Sequence, residues 1–324
     1  MTGLITRAAG AALVISCLFS NVAAAQAQFP DRAINAIVPF APGGPSDIIS
    51  RIVANQMAKE IGQPIVIQNR PGAGGNLGMG QVANSKPDGY TILLCSVATT
   101  QNPAVFRSMP YDPMKDLTAV AIIGESPNMI AVSAKNVPSK TLAEFIDFVK
   151  KSPGKYNIAG AGGQRMTMEK FLLTFGLQME VVNYASGGDA ANALMAGEVH
   201  LQLNSATTLA PGIQNGSVRI LAIAGSQRLS AYPDIPTTAE AGFKDYQEKA
   251  YVGLYVPSGV PADAITKLHS AAMKALGSAD VKTRLQQLDY VVEPKSQAEA
   301  DAFYKGEVVR WKEVAKAANI PQVD

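Results

Sequence analysis

A glycine-rich segment near the start of this 324-residue chain joins a short apolar run to an amphipathic segment. It consists of Phe40, Ala41, Pro42, Gly43, Gly44, Pro45, Ser46 and Asp47. Glycines allow the main chain to approach a ligand closely, and the free N–H groups and dipole at a helix start favour negative charge. The segment therefore indicates an anion site built from backbone. The alternative is a tight strand-to-helix turn in which Ser46 or Asp47 caps the helix.

A second segment of the same kind also follows a predicted strand and precedes a helical pattern. Its candidate binding residues are Gly162, Gly163, Gln164 and Arg165. Two such loops, facing each other across a cleft, would hold a carboxylate at each end, and Arg165 would add a bidentate pair. The alternative is an exposed Arg165 in the first turn of a helix, where its charge opposes the helix dipole.

A third glycine cluster, from Asn69 to Gly78, invites comparison with nucleotide-binding loops. It has neither the Gly-x-Gly-x-x-Gly spacing nor the Gly-Lys-Ser/Thr ending of a phosphate loop. A simple turn followed by a helix start fits the cluster well, and we expect no nucleotide there.

Groups that perform catalysis or bind metals are scarce. The chain has only two histidines, His200 and His269, and neither lies near a cysteine or in a Glu-x-x-His pattern. Metal-ligand clusters of the required spacing are absent from the sequence, so we expect no metal and no cofactor. Carboxylates are spread along the chain, which leaves open an acid/base pair assembled by folding.

The elements that must position these loops alternate between short apolar runs and helical patterns, which predicts parallel α/β layers. The first predicted helix runs from Ser46 to Ile61, opens at Pro45 and closes at Gly62. Its apolar stripe consists of Ile48, Ile49, Ile52, Val53 and Met57. The alternation resumes after Gly124, which indicates a second α/β unit, and the chain length also favours two domains.

The C-terminal part reads as helices, and the last of them, Ala298 to Ala318, carries an apolar stripe with Trp311 that needs a sheet to pack on. We expect this tail to return to the first unit, so that two strands cross between lobes and act as a hinge. The predicted division gives residues 28–126 plus 256–324 to the first lobe and 127–255 to the second. The hinge strands lie near 127–132 and 251–257. The tail as a third small unit is the alternative.

Residues 1–27 have the organisation of a secretory signal peptide, with one positive charge, an apolar run from Ala8 to Phe19 and a small-residue end. Cleavage after Ala25 or after Ala27 fits equally well. The apolar run is shorter than the roughly 20 residues that a helix needs to cross a bilayer. We therefore expect a secreted protein of the periplasm.

Composition narrows the range of partners further. The formal charge is only +2, and no basic run is interleaved with aromatic residues, so we expect no nucleic-acid partner. After cleavage Cys95 is the one remaining cysteine, and its apolar neighbours predict a small buried core residue rather than a reactive thiol.

The sequence resembles the solute receptors of tripartite tricarboxylate transporters, also called Bug receptors, nearly from end to end. The segments that carry the resemblance are Phe29 to Arg32, Val38 to Asp47, Asn69 to Gly78, Pro87 to Leu93, Asn102 with Pro103, Tyr111 to Pro113, Asp116 with Leu117, Leu221 with Ala222, Pro236 to Phe243 and Pro257 to Pro261. Together these motifs are highly specific.

The resemblance implies a Venus-flytrap fold of type II-like lobes, with ligand carboxylates held largely by backbone N–H groups and waters. Carried over residue by residue, the sites are the loop from Phe40 to Asp47 and the residues from Gly162 to Arg165 opposite it. Ser96 and Thr99, just after the third strand, are weaker candidates. Receptors of this family often have Ser or Thr followed three residues later by His, where this chain has Gly162 and Arg165.

The implied function is to capture a small carboxylate and deliver it, as a monomer, to integral-membrane transporter subunits. The ligand class stays open among dicarboxylates, tricarboxylates, acidic amino acids and aromatic acids. A periplasmic sensor module with the same cleft is one alternative. A periplasmic enzyme acting on a carboxylate is another, which the shortage of catalytic groups disfavours.

Overall fold

The computed structural model describes residues 29–161, 164–184 and 187–322 of the chain. The first of two five-stranded sheets has the strand order β2-β1-β3-β10-β4. Its strands are β1 (Ile34–Val38), β2 (Ile65–Asn69), β3 (Thr91–Ser96), β4 (Leu117–Pro127) and β10 (Lys249–Pro257). Strands β1, β2 and β3 are parallel, and β10 runs antiparallel to its neighbours β3 and β4.

The second sheet repeats this arrangement with the order β7-β6-β8-β5-β9. Its strands are β5 (Met129–Ser133), β6 (Asn157–Ala161), β7 (Glu180–Tyr184), β8 (Leu201–Asn204) and β9 (Val218–Ile223). Strands β6, β7 and β8 are parallel, and β5 is antiparallel to β8 and β9. In both sheets one antiparallel strand that enters from the other lobe lies beside three parallel ones. The predicted two-lobed α/β architecture is thus confirmed.

The chain passes from the first sheet to the second at Asn128, between β4 and β5, and returns at Glu248, just before β10. Backbone hydrogen bonds tie the two crossings together. Asn128 N donates to Glu248 O at 2.9 Å, Glu248 N to Ala224 O at 2.9 Å, and Ala224 N to Asn128 O at 2.8 Å. The exact lobe boundaries given from the sequence stay predictions, although the pairing places the whole of β10 in the first sheet.

Helices cover the faces of both sheets. In the first lobe they are α1 (Pro45–Ile61), α2 (Asn76–Ala83), α3 (Ala98–Val105), α8 (Ala262–Gly277), α9 (Ala279–Gln286) and α10 (Gln297–Ala317). In the second they are α4 (Leu142–Lys150), α5 (Gln164–Phe175), α6 (Gly187–Ala196) and α7 (Ala206–Gln214). None of the helices formed by the described residues is long and apolar enough to cross a membrane.

Helix α1 illustrates how sequence sets an element in this fold. Pro45 occupies its first turn and Gly62, at φ 77°, ends it in the left-handed conformation. Ile49, Ile52, Val53 and Met57 are buried in the core on the first sheet, as the spacing predicts. Ile48 does not belong to that buried stripe, because the residue is 39% exposed. Consecutive residues of an α-helix point in different directions, so the side chain of Ile48, one residue before Ile49, faces solvent.

Helix α10 packs on β4 and on α3 of the first lobe, and it also contacts α5 of the second. The buried Trp311 of α10 shares an apolar cluster with Ala104 of α3 and Met166 of α5. The C-terminal helix therefore joins the two lobes where α3 ends and α5 begins.

Candidate functional site

The loop from Phe40 to Asp47 connects the carboxyl end of β1 with the start of α1. Gly43 has φ +82°, a conformation that favours glycine, and Gly44 is extended and occupies the N-cap position. No side chain caps α1. The alternative in which Ser46 or Asp47 caps the helix is therefore wrong. The loop reaches the helix start with glycine backbone, and Ala41, Pro42 and Gly43 are exposed while Phe40, Gly44 and Ser46 are half-buried.

The carboxylate of Asp47 points into the lobe, where only 3% of its side chain is exposed. One oxygen accepts from the Gly43 N–H at 2.9 Å and from Arg51 Nε at 3.0 Å. The other lies 2.9 Å from Arg51 Nη2 and accepts from Asn69 Nδ2 at 2.8 Å. Burial alone would raise the pKa of Asp47, but the hydrogen bonds from Arg51, Gly43 and Asn69 lower it to about 2. Asp47 is thus ionised and fully engaged with its own loop.

Ser96 and Thr99 follow β3 at the same edge of the first sheet. Ser96 is half-buried, whereas the side chain of Thr99 has no exposed surface. The Thr99 hydroxyl lies 3.2 Å from both Ser96 O and the Tyr255 hydroxyl. The hydroxyl of Thr99 therefore belongs to the interior of the first lobe, and a contact between Thr99 and a ligand stays a prediction.

The second-lobe loop is described from Gln164, where α5 begins, since Gly162 and Gly163 lie outside the described residues. Arg165 stands in the first turn of α5 with 40% of its side chain exposed. Its Nε lies 3.6 Å from Glu169 Oε1, one helical turn on, beyond hydrogen-bond distance. Met166, the next residue, packs in the cluster with Trp311 and Ala104. The start of α5 therefore lies close to the first lobe.

A further glycine at this edge was missed from the sequence. Gly187 begins α6, three residues after the last residue of β7, and its carbonyl accepts from Gln202 Nε2 at 3.0 Å and from Asn204 Nδ2 at 3.3 Å. A Cβ at Gly187 would lie 2.9 Å from Asn204 Nδ2, so a larger residue would displace the Asn204 amide. The pair Gly187-Gly188 before Asp189 repeats the strand, glycine pair and helix pattern of the first loop. That repetition was the available signal.

Parallel pairing brings these loops together within each lobe. The carboxyl ends of β1, β2 and β3 meet at one edge of the first sheet, and those of β6, β7 and β8 meet at one edge of the second. Crevices outside the carboxyl ends of strands are the usual ligand sites of open α/β sheets. The structure thus offers one helix-start edge per lobe.

A cluster of charged side chains, here called the interlobe charge cluster, links the two lobes. It consists of Glu248 at the second crossing, Lys170 of α5 and Arg310 of α10. Glu248 Oε2 lies 2.6 Å from Lys170 Nζ and 3.7 Å from Arg310 Nη1, with only 1% of its side chain exposed. Burial raises the pKa of Glu248, and the nearby charges of Lys170 and Arg310 offset this only in part.

The groups considered for catalysis are engaged in ordinary structural contacts. His200 Nδ1 lies 2.8 Å from Asn157 Oδ1, and His269 Nε2 lies 3.0 Å from the carbonyl of Lys295. Cys95 is a free, buried thiol, and burial raises its pKa to about 12, which confirms its assignment to the core. Within the described part of the chain, no group of three or more His, Cys, Asp or Glu side chains is placed to bind a metal.

Two α/β lobes of equal topology, joined by two crossings and each with a helix start at the carboxyl edge of its sheet, define a two-lobed solute-binding protein. Residues 49–320 match the model of the "Tripartite tricarboxylate transporter family receptor". This chain belongs to that family, as the sequence motifs suggested.

Known relatives agree with this assignment. The "UPF0065 protein in the TAR-I ttuE-ttuC' intergenic region" of Agrobacterium vitis is 33% identical over 95% of this chain and 90% of its own. The solved structure of MatC from Rhodopseudomonas palustris, with bound malate, is 34% identical, with a TM-score of 0.74 over 88% of this chain and 99% of MatC. A second R. palustris protein, solved with adipate, is 28% identical, with a TM-score of 0.77 over 91% of this chain and 100% of that protein.

Proposed function

We propose that this protein is a periplasmic receptor that encloses a small dicarboxylate between its lobes and delivers it to the membrane subunits of a tripartite tricarboxylate transporter. The observation that carries the proposal is the uncapped, glycine-lined start of α1, where N–H groups and the helix dipole favour an anion. The second lobe offers helix starts at Gln164 and Gly187 for the other end of the same ligand.

The loop from Phe40 to Asp47 supplies backbone N–H groups for the first carboxylate, and Asp47 supports the loop from within. Residues 162–165 supply the contacts of the second lobe, with Ser96 at the edge of the first. Arg165 acts as a fixed cation for the carboxylate remote from the first loop, in place of the hydroxyl and imidazole of other receptors. Its partly exposed side chain, and a buried Nε that lies 3.6 Å from Glu169 without forming a hydrogen bond, support this role.

Dicarboxylates are the favoured class because MatC was solved with malate and a second relative with adipate. The two carboxylate groups of such an acid would each bind one helix start, and the backbone would recognise little of what lies between them. Closure of the lobes around the crossings at Asn128 and Glu248 would bury the ligand and present a closed form to the membrane partner.

A thermal-shift screen of the mature protein tests this function. We expect malate, adipate or another small dicarboxylate in the panel to stabilise the protein, by about 2.7 kcal/mol at 100 times its dissociation constant. Tricarboxylates, acidic amino acids and aromatic acids complete the panel. The bound acid should be recovered unchanged, and small-angle scattering should show a monomer that becomes more compact on binding.

The variant Arg165→Ala tests the role of Arg165. Arg284→Ala on α9 is the control for loss of an exposed arginine. Arg165→Ala should weaken binding of the dicarboxylate about tenfold, because one charge-assisted pair is lost. Equal affinity of the two variants for the dicarboxylate would show that Arg165 is not part of the binding site. If no carboxylic acid stabilises the wild-type protein, the receptor function itself is refuted.

A further inference from the structure

Asn69 is the last residue of β2, the neighbour of the strand that leads into the loop from Phe40 to Asp47. We propose that Asn69 is a positioning residue that fixes this loop in its anion-binding conformation and thereby sets the affinity of the first lobe. The inference rests on the proposed function and names a residue outside the loop itself.

The side-chain amide of Asn69 reaches both ends of the loop. Its Nδ2 donates to Phe40 O at 2.9 Å and to Asp47 Oδ1 at 2.8 Å. Asp47 in turn accepts from the N–H of Gly43 in the middle of the loop. One side chain therefore ties the beginning of the loop to its end and, through Asp47, to its centre. A residue without an amide donor at this position leaves Phe40 O and one Asp47 oxygen without that partner.

The oxygen of the Asn69 amide affects the charge at the start of α1 through Arg51. Asn69 Oδ1 accepts from Arg51 Nη2 at 2.9 Å, which orients the guanidinium against the Asp47 carboxylate. An uncompensated carboxylate in the first turn of α1 would repel an incoming anion. It would also offset the positive end of the helix dipole, which attracts the anion. Because Arg51 neutralises Asp47, the start of α1 stays attractive to the ligand.

A loop held in place before binding loses less conformational entropy when the ligand arrives, so the same contacts give a higher affinity. Asparagine suits this position because it has a donor and an acceptor in one plane at this length. Aspartate lacks the donor and would add a second negative charge beside Asp47. Alanine lacks both groups.

The test compares Asn69→Ala with Gln68→Ala in the mature full-length protein. Gln68 is a matched control: it precedes Asn69 on β2, on the opposite face of the strand, and its amide contacts Asn35 instead of the loop. Malate and adipate serve as probes in calorimetric titrations at a temperature well below unfolding. Hydrogen exchange of the amides of residues 40–47 is measured in the ligand-free proteins.

We expect Asn69→Ala to weaken binding about tenfold and to speed exchange in the loop, with Gln68→Ala matching the wild type in both. Arg51→Lys keeps the charge beside Asp47 but loses the two-pronged geometry, so its affinity should lie between those of wild type and Asn69→Ala. If Asn69→Ala does not fold, an affinity of Arg51→Lys equal to that of the wild type overturns the proposal.

Unchanged affinity and unchanged loop exchange in folded Asn69→Ala would overturn the proposal, as would an effect of equal size in Gln68→Ala. Failure of the proposed function is distinguishable, because the wild-type protein would then bind neither probe. In that case unchanged exchange of the ligand-free loop in Asn69→Ala would still refute the positioning role.

Discussion

Asp47 and Glu248 are both buried carboxylates beside an arginine, yet their surroundings shift their pKa values in opposite directions. Asp47 accepts hydrogen bonds from a backbone N–H, a guanidinium and an amide, which together lower its pKa to about 2. Glu248 accepts one short hydrogen bond from Lys170, while Arg310 stays at 3.7 Å, and burial raises its pKa. At Glu248 desolvation outweighs its cationic partners, whereas at Asp47 three hydrogen-bond donors together outweigh desolvation.

The opposite pKa shifts of Asp47 and Glu248 correspond to their different positions in the fold. Asp47 supports a loop that must keep one conformation, so a carboxylate that stays ionised at any physiological pH is appropriate. Glu248 lies at a crossing between lobes and joins α5 of the second lobe to α10 of the first. There the buried carboxyl group has one cationic partner from each lobe, Lys170 and Arg310.

Removal of the cation nearest to Glu248 should have the largest effect. In Lys170→Met, Glu248 and the carbonyl of Gln247 each lose a donor at 2.6 Å. We expect the free energy of unfolding at pH 7 to fall by about 3 kcal/mol, because a buried charge is left without its hydrogen-bonded partner. Urea denaturation measures this change.

Lys282→Met, on the exposed face of α9, is the control and should cost less than about 0.5 kcal/mol. The double variant Lys170→Met/Glu248→Gln should recover part of the loss, since the unpaired charge is gone. A single variant no less stable than the control would contradict the importance of the interlobe charge cluster.

The next largest effect is expected from Asp47→Asn, which keeps the shape of the side chain and removes its charge. Because the pKa of Asp47 is lowered from 3.8 to about 2, its ionised form stabilises the folded state above about pH 4, by about 2 kcal/mol. That advantage over the variant should disappear as the pH falls from 4 toward 2. Urea denaturation at pH 7 and at pH 3 measures both quantities.

Asp280→Asn, at a side chain that is 74% exposed, provides the comparison for loss of a helix-start carboxylate alone. It should change stability by less than about 0.5 kcal/mol at either pH. Equal losses in the two variants would mean that the hydrogen bonds to Asp47 do not favour its charge.

Glu248→Gln should have the smallest effect at pH 7, roughly 1 kcal/mol or less, because folding does not favour the ionised form of Glu248. The pH dependence should have the opposite sign to that of Asp47. A raised pKa means that the folded state binds the proton more tightly, so the wild type should lose stability relative to Glu248→Gln as the pH rises from about 4 to 7. Thermal unfolding of both proteins at several pH values measures this difference. A wild type that gains stability relative to Glu248→Gln as the pH rises would contradict the prediction.

Local signals explain what the sequence could predict. Helix α1 begins and ends where Pro45 and Gly62 place it, because these two residues act through their own backbone conformations. The alternation of strands and helices predicts two α/β lobes for the same reason. Strand β10 shows the limit. The sequence predicts a hinge strand near 251–257, but it does not indicate the sheet to which this strand belongs, since its partners β3 and β4 lie more than a hundred residues away.

The candidate site shows the same division. The glycines of the first loop were recognisable, and Arg51 four residues after Asp47 is a familiar helical ion pair. Nothing near Asp47 in the sequence indicates Asn69, which the pairing of β1 with β2 brings to the loop. Asp47 was therefore predicted to face the ligand, whereas its oxygens are taken by the protein itself.

The two crossings at Asn128 and Glu248 lie side by side: one backbone hydrogen bond joins them directly, and each is also bonded to Ala224 of the second lobe. A single tether would let one half of the molecule swivel freely about it. Two neighbouring, mutually bonded tethers resist such torsion and leave bending about one line as the soft movement. The two lobes should therefore open and close by bending about a single axis, so that the same residues meet at every closure.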